Sequence, residues 1–361
     1  MIAVLGECVA DAFADRPHTD PHAGPSTGPP TGPPTGRPAT GGENGAPPGR
    51  SVELALRVLP GGGPANTAVA LARLGTPARF LGRVSGDVFG ALFRDRLAAS
   101  GVDLSSCVDA AEPSTLAVAS LDAGGQAAYR FHAEGTADWQ WTPAELASLD
   151  LAGVSCLHTG SLALVREPGR DAVEAFAASA RERMTVSIDP NVRPSLASRE
   201  AYAVTRWCGL ADILKLSDDD LGVLMPGEPV ERVCDTWHAA GARLIVVTRG
   251  AAGALVSLDG ERAEVTAPRV AVVDTVGAGD AFTAGLLHLL GGLGLLGGRL
   301  DGLDLETATR AAEFAARVAA LTCTVPGADP PWSHQLQPGS TTGAGPRRSG
   351  LPSRDGGRRR L

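Results

Sequence analysis

The chain predicts an α/β fold of three layers, with helices on both sides of a mostly parallel central sheet and a small β flap beside it. Three observations point there. Short apolar runs alternate with segments whose apolar positions recur at helical spacing. Several of those runs are apolar at every position, as strands covered on both faces must be. One pair of segments breaks the rhythm with strict period-two alternation, the mark of an antiparallel hairpin.

The elements follow in order. "IAVLG" opens the chain as a strand. After "GECVAD" comes a stretch, residues 14–50, whose "TGPPTGPPTGRP" has few large apolar side chains; ordering it would cost entropy without burial, so it reads as a disordered insertion. Flap strands are expected around 51–60 and 114–134, the latter as "TLAVASLD" and "AAYRFHAE" joined across "AGGQ". "RFLGRV", "VSCLHTG", "TVSIDP", "DILKLS", "RLIVVTRG" and "VAVVDT" read as further strands. "PANTAVALARLG", "DVFGALFRDRLAASG", "GRDAVEAFAASARER" and "VERVCDTWHAAG" read as the helices between them. One domain, residues 1–331, takes in all of these, and 332–361 reads as a disordered basic tail. Ligands of such a sheet belong at the carboxyl ends of its strands.

Composition narrows the function. Hydrophobic residues make up 43% and aromatics 4% of the 361 residues, so the core must be built mainly from Ala, Val and Leu. Lys215 is the only lysine, and its surroundings match neither a Walker A loop nor a protein-kinase strand lysine. The tail carries six Arg and one Asp, leaving the rest of the chain at −13 against an overall −8; that acidic body argues against a nucleic-acid partner. The six cysteines form no CxxC pair and have no His at zinc spacing, and read as buried free thiols. No basic leader precedes the first strand and no uncharged membrane span follows, so a cytoplasmic protein without a membrane partner is expected.

The stretch "DTVGAGDAF", Asp274 to Phe282, concentrates the chemistry. A strand ends before it, Gly277 and Gly279 permit a tight turn, and a helix begins near Ala278. Unsatisfied amides and aligned peptide dipoles at such a start attract an anion. A carboxylate there, Asp280, repels a phosphate unless its task is to take a proton from a hydroxyl that attacks it. Taken alone, the segment equally allows Asp280 to cap the helix. It lacks the third glycine of a dinucleotide fingerprint.

The same "DTVGAGD" resembles the carboxyl-terminal signature of the ribokinase/PfkB family of carbohydrate kinases, and "GGGPANTAVALARLG" resembles that family's amino-terminal glycine motif. "GECVAD", "SIDPNVRPSL", "TCTVPGA" and "AYRFH" resemble segments of its fructokinase branch. The resemblance implies a ribokinase-like fold and an ATP-dependent transfer to a terminal sugar hydroxyl, with fructose favoured; ribose, a nucleoside or 2-keto-3-deoxygluconate is the alternative substrate, and a non-catalytic sugar sensor the alternative class. It implies that Asp280 is the general base and that Gly277, Ala278 and Gly279 form the anion hole. Asp11, Gly62 and Asn66 would bind sugar hydroxyls, with Arg193, Tyr129 and Arg130 as further substrate contacts. Structural alternatives stay open: a turn for Asp11, a cap for Asn66, a salt bridge for Arg193, an exposed or dimer-contacting flap for Tyr129 and Arg130. Thr248, Gly250, Gly253 and Thr275 would line the nucleotide. Asp274 and the Val276 carbonyl would hold a monovalent cation such as K+. The family's NxxE motif, tied to Mg2+ and phosphate, reads Ser217 to Asp220 after Lys215, with Asp in place of Glu. Partners implied are the sugar, ATP and, through the flap, a second copy of the chain.

Overall fold

Alternation within each strand divides the core in two. In β1 (Ile2–Leu5), Ile2 and Val4 enter one apolar cluster and Ala3 and Leu5 the other. The computed structural model describes residues 1–14, 54–121 and 127–336. β1 lies between β4 (Ala78–Leu81) and β9 (Cys156–Gly160), and the sheet continues through β10 (Thr185–Asp189), β11 (Ile213–Ser217) and β12 (Leu244–Thr248), all parallel. β13 (Ala254–Leu258) and β14 (Glu261–Val265) close the eight-stranded sheet as an antiparallel hairpin. Asp259 (φ 49°) and Gly260 (φ 98°) form its turn, and this Asp-Gly pair was a readable signal.

One face is covered by α1 (Gly63–Arg73), α2 (Val88–Ala99), α8 (Ala278–Gly292) and α9 (Leu305–Thr322). The other carries α3 (Pro143–Ala147), α4 (Arg170–Arg181), α5 (Val204–Cys208), α6 (Asp218–Leu224) and α7 (Val230–Ala239). Small residues bring helices close: a β-carbon at Gly285 of α8 would stand 2.8 Å from Ala315 Cα of α9. The core is Ala-, Val- and Leu-rich as expected, although Trp139, Trp207 and Trp237 are its largest fully buried side chains.

The flap is a separate four-stranded sheet in the order β3 (Leu56–Gly61), β2 (Val9–Ala14), β7 (Thr115–Leu121), β8 (Ala127–His132). β2 supplies a strand that the hairpin signal had not included. A short parallel pair, β5 (Arg83–Ser85) and β6 (Val108–Ala110), lies apart from it.

Three expectations change. "VAVVDT" forms no strand: Val272 and Val273 are 63% and 60% exposed, because the chain leaves the sheet after β14 and runs across its carboxyl end. "RFLGRV" divides into β4 and β5 at Gly82, where the Phe80 ring fills the space a β-carbon would need. The domain does not stop at 331. Trp332 lies under the Arg73 guanidinium, 5.2 Å from its ring centroid, and Leu336 packs on the core. The bulk of the expected insertion and tail, residues 15–53 and 337–361, lies outside the described residues. All six cysteines are free, four of them buried. Among the described residues no helix is long and apolar enough to cross a membrane.

Candidate active site

The strand parity that buries the core also builds the site. Val186 and Ile188 of β10 and Leu214 and Leu216 of β11 turn to the α4–α7 face, so Ser187, Asp189 and Lys215 turn to the α1 and α8 face. His158 on β9 lies on that face too, with Nδ1 3.1 Å from Ser187 Oγ. Burial, then the charge of Lys215, pushes this imidazole down to about 3, so it is neutral. Toward the carboxyl ends of β9, β10 and β11 the covered face thus turns from apolar to polar.

Over this polar edge starts α8. Its N-cap is Gly277, in the left-handed region at φ 76° and without a side chain to cap the helix. A β-carbon there would stand 2.6 Å from Ala328 Cβ. The Ala278 amide donates to the Thr275 carbonyl at 3.2 Å, whereas the amides of Gly277, Gly279 and Asp280 have no hydrogen-bond acceptor among the described residues. Of the three residues expected to form the anion hole, Ala278 thus has its amide engaged within the turn, and the amides of Gly277 and Gly279 are the unbonded ones among the described residues.

Asp280 does not cap its helix. Its Oδ2 accepts from Asn66 Nδ2 at 2.9 Å, and Asn66 Oδ1 accepts from Arg96 Nη1 at 3.0 Å. Burial raises the proton affinity of Asp280, against the Asn66 hydrogen bond and the charge of Lys215, which lower it; Asp189 adds to the rise. Asn66 is buried, and each end of its amide holds a charged side chain, Asp280 at one and Arg96 at the other, which leaves one N–H and one lone pair of the amide uncommitted. Gly62 (φ 101°) precedes α1 because a β-carbon would meet the Glu7 carbonyl at 2.5 Å. At Gly63, one would stand 2.6 Å from Asn191 Nδ2 and 3.2 Å from Asp280 Oδ1.

On the flap side, Asp11 of β2 is half-buried against Gly61, and burial raises it to about 6, moderated by Arg96 and Arg193. Arg193 is exposed at the cleft, its amide donating to Tyr202 Oη at 2.8 Å. Arg130 is exposed on the edge strand β8; of Tyr129 only the backbone, paired with Ala119, belongs to the described structure. Beneath β2, Glu7 is buried and raised to about 7 by burial, accepting from Ser161 Oγ at 2.7 Å.

On the other side, Ser217 and Asp220 form a capping box. Ser217 Oγ accepts from the Asp220 amide at 3.0 Å, Asp220 Oδ2 accepts from the Ser217 amide at 3.0 Å, and Asp220 Oδ1 accepts from the Val192 amide at 2.8 Å. Both oxygens of Asp220 are thus used to start α6 and to pin the loop that carries Arg193. Thr248 ends β12 beside Ser217, and Gly250 (φ 51°) and Gly253 (φ 97°) make the following turn. Asp274 anchors the next turn, accepting from the Val276 amide at 3.1 Å and the Gly327 amide at 2.8 Å, while the Thr275 side chain is exposed. Among the described residues no three His, Cys, Asp or Glu side chains gather in a metal-holding group. Lys215 is buried, and its ammonium is paired with Asp189.

Sequence reasoning missed Arg96, Asp189 and Asn191. Asp189 and Asn191 sit in the quoted "DPNVR", and the parity of β10 was the available signal; nothing local marked Arg96.

Residues 49–335 match the profile described as pfkB family carbohydrate kinase. A fructokinase of Rhizobium leguminosarum bv. trifolii is 38% identical over 235 residues, 64% of this chain and 71% of that protein. The fructokinase of Vibrio cholerae O395, solved with fructose, ADP and calcium ion, is 28% identical with a TM-score of 0.69, covering 91% of this chain and 94% of that one. The fructokinase of Xylella fastidiosa with bound ATP is 25% identical with a TM-score of 0.73, covering 91% and 93%.

Proposed function

The chain belongs to the pfkB family of carbohydrate kinases, and on that premise we propose that it is an ATP-dependent fructokinase. The single observation that carries the mechanism is Asp280: a half-buried carboxylate that caps nothing, is aimed by Asn66, and adjoins a helix start with free amides. In the reaction Asp280 takes the proton of the sugar's terminal hydroxyl as its oxygen attacks the γ-phosphorus. The Gly277 and Gly279 amides meet the negative charge of the group in flight. Little covalent work is asked of the protein, and a turn held rigid by Asp274 and Ala328 supplies alignment.

Asp11, Gly62, Arg193 and the flap residues Tyr129 and Arg130 bind the sugar, the carboxylate and guanidinium holding its hydroxyls. ATP lies along Thr248, Gly250, Gly253 and Thr275, with the exposed side chains of Val272, Val273 and Val276 as an apolar bed for its base. Mg2+ would supply charge neutralisation on the phosphates as an ion carried by the nucleotide, and Asp220, whose oxygens already accept from the Ser217 and Val192 amides, would offer it or one of its waters a remaining lone pair. K+ would be held at the Asp274 turn by the Val276 carbonyl, which accepts no hydrogen bond among the described residues. Assembly is a homodimer through the flap, where Leu54 and Leu56 are exposed beside and on strand β3, and the enzyme works in the cytoplasm.

A coupled ADP-release assay over fructose, ribose, a nucleoside and 2-keto-3-deoxygluconate tests the reading. Turnover is expected with fructose; turnover of another substrate with none of fructose would contradict it, and ligand binding without any ADP release would point to a sensor.

A further inference from the structure

Lys215, the chain's only lysine, is buried (4% exposed) beneath the start of α8. Its Nζ donates to Asp189 Oδ2 at 2.8 Å, and Asp189 is the one acceptor it has among the described residues. An ammonium has three donors, so two are left. A β-carbon at Gly279 would stand 2.9 Å from that nitrogen, which places the charge directly under the turn that offers its amides to the phosphoryl group. Asp189 Oδ1 meanwhile accepts from the Asn191 amide at 3.1 Å, tying the pair to the loop whose Asn191 adjoins Gly63. A buried ion pair is seldom the most stable filling for such a space; apolar side chains of similar volume do as well. Here the pair sits at the carboxyl edge of the sheet, beside the base.

Resting on the kinase reading above, we propose that Lys215, held by Asp189, is a positioning residue for phosphoryl transfer: its fixed charge under Gly279 keeps Asp280 a carboxylate and strengthens the anion hole. Every charged or titratable group that faces Asp280 fits this arrangement. From β10 and the loop after it come Asp189 and Arg193, from β11 Lys215, and from α2 Arg96, which reaches it through Asn66. His158 on β9 is neutral. Burial works against the Lys215 charge, but the charge and hydrogen bond of Asp189, with Asp280 and Asp220 behind it, raise its proton affinity, so the ammonium keeps its proton.

The two members of the pair must then act on Asp280 in opposite senses. Lys215→Met leaves Asp189 facing the base, which binds its proton more tightly, so the acid limb of the kcat profile moves to higher pH. Asp189→Asn leaves the ammonium unopposed, and the limb moves lower. Steady-state kinetics with fructose and ATP between pH 5 and 9 are expected to show this. Lys215→Met is also expected to lower kcat about 10²-fold with KM values within about threefold. The double variant Asp189→Asn/Lys215→Met buries no lone charge and stands in should Lys215→Met fail to fold; its kcat should fall likewise. A folded double variant with kcat within about threefold of wild type, or single-variant limbs that stay put or move together, would overturn the proposal. Wild type is assayed in parallel on the same substrates: absence of any wild-type turnover contradicts the kinase reading itself, whereas wild-type turnover preserved in the variants contradicts only the role of Lys215.

Discussion

The starts of α6 and α8 read alike in sequence, each with an aspartate in its first turn, and they do opposite things. At α6, Asp220 closes a capping box with Ser217 and gives its other oxygen to the Val192 amide, so acid and amides satisfy one another. At α8 the cap is Gly277, which has nothing to give, and Asp280 turns away to Asn66. One helix start is finished by its own residues; the other is left with free donors and a carboxylate beside them. Such an end is completed by water or by a ligand, and its amides and dipole suit an anion.

The contrast breaks most sharply at the base. Asp280→Asn should lower kcat by about 10²–10⁴ while the melting temperature stays near that of wild type. Undiminished turnover in a coupled assay would reduce Asp280 to a structural residue like Asp220. In the wild type, burial raises the proton affinity of Asp280. The active carboxylate is then present above that raised value and lost as pH falls through it, so the acid limb of kcat should lie above the range of an exposed aspartate. Next comes the cap. Gly277→Ala puts a β-carbon against Ala328 in a backbone conformation alanine resists, and a displaced turn of this kind costs about 10² in kcat. Binding of ATP by calorimetry should change far less.

Changes at α6 should speak in stability instead. Asp220→Ala removes a cap worth about 1 kcal/mol, or roughly 1–2 °C in Tm for a chain of this size. The freed Val192 amide loosens the Arg193 loop, so sugar KM should rise about fivefold for the ~1 kcal/mol lost at one hydrogen bond, with kcat little altered. A collapse of kcat would instead show Asp220 acting on the phosphates. The smallest effect is expected from Asp220→Glu, which keeps the capping box and should leave Tm within a degree or so by calorimetry.

What the sequence disclosed follows from the range of the forces involved. The α8 turn was legible because its demands are local: a left-handed residue needs glycine, and Gly277 stands where it is needed. The parallel sheet was legible because burial on both faces leaves an unbroken apolar run, as in β1 and β12. Val272 and Val273 misled, since β-branched residues form a strand only where a neighbouring strand offers bonds, and beyond β14 none does. The Asp189–Lys215 and Asn66–Arg96 contacts join residues 26 and 30 apart on different elements, so only the packed fold brings them together. Likewise the glutamate-to-aspartate change at position 220 looked like a shortened reach toward a cation, yet the pinning of Val192 gives the shorter acid a use of its own.

The central claim is that Asp280 receives the proton of the attacking hydroxyl. A crystal structure with fructose and a non-hydrolysable ATP analogue tests it most directly. The account predicts Asp280 within about 2.6–3.2 Å of the sugar's terminal oxygen, with the Gly277 and Gly279 amides turned to the γ-phosphate. A terminal hydroxyl bound beyond reach of Asp280, with that carboxylate still held only by Asn66, would contradict it.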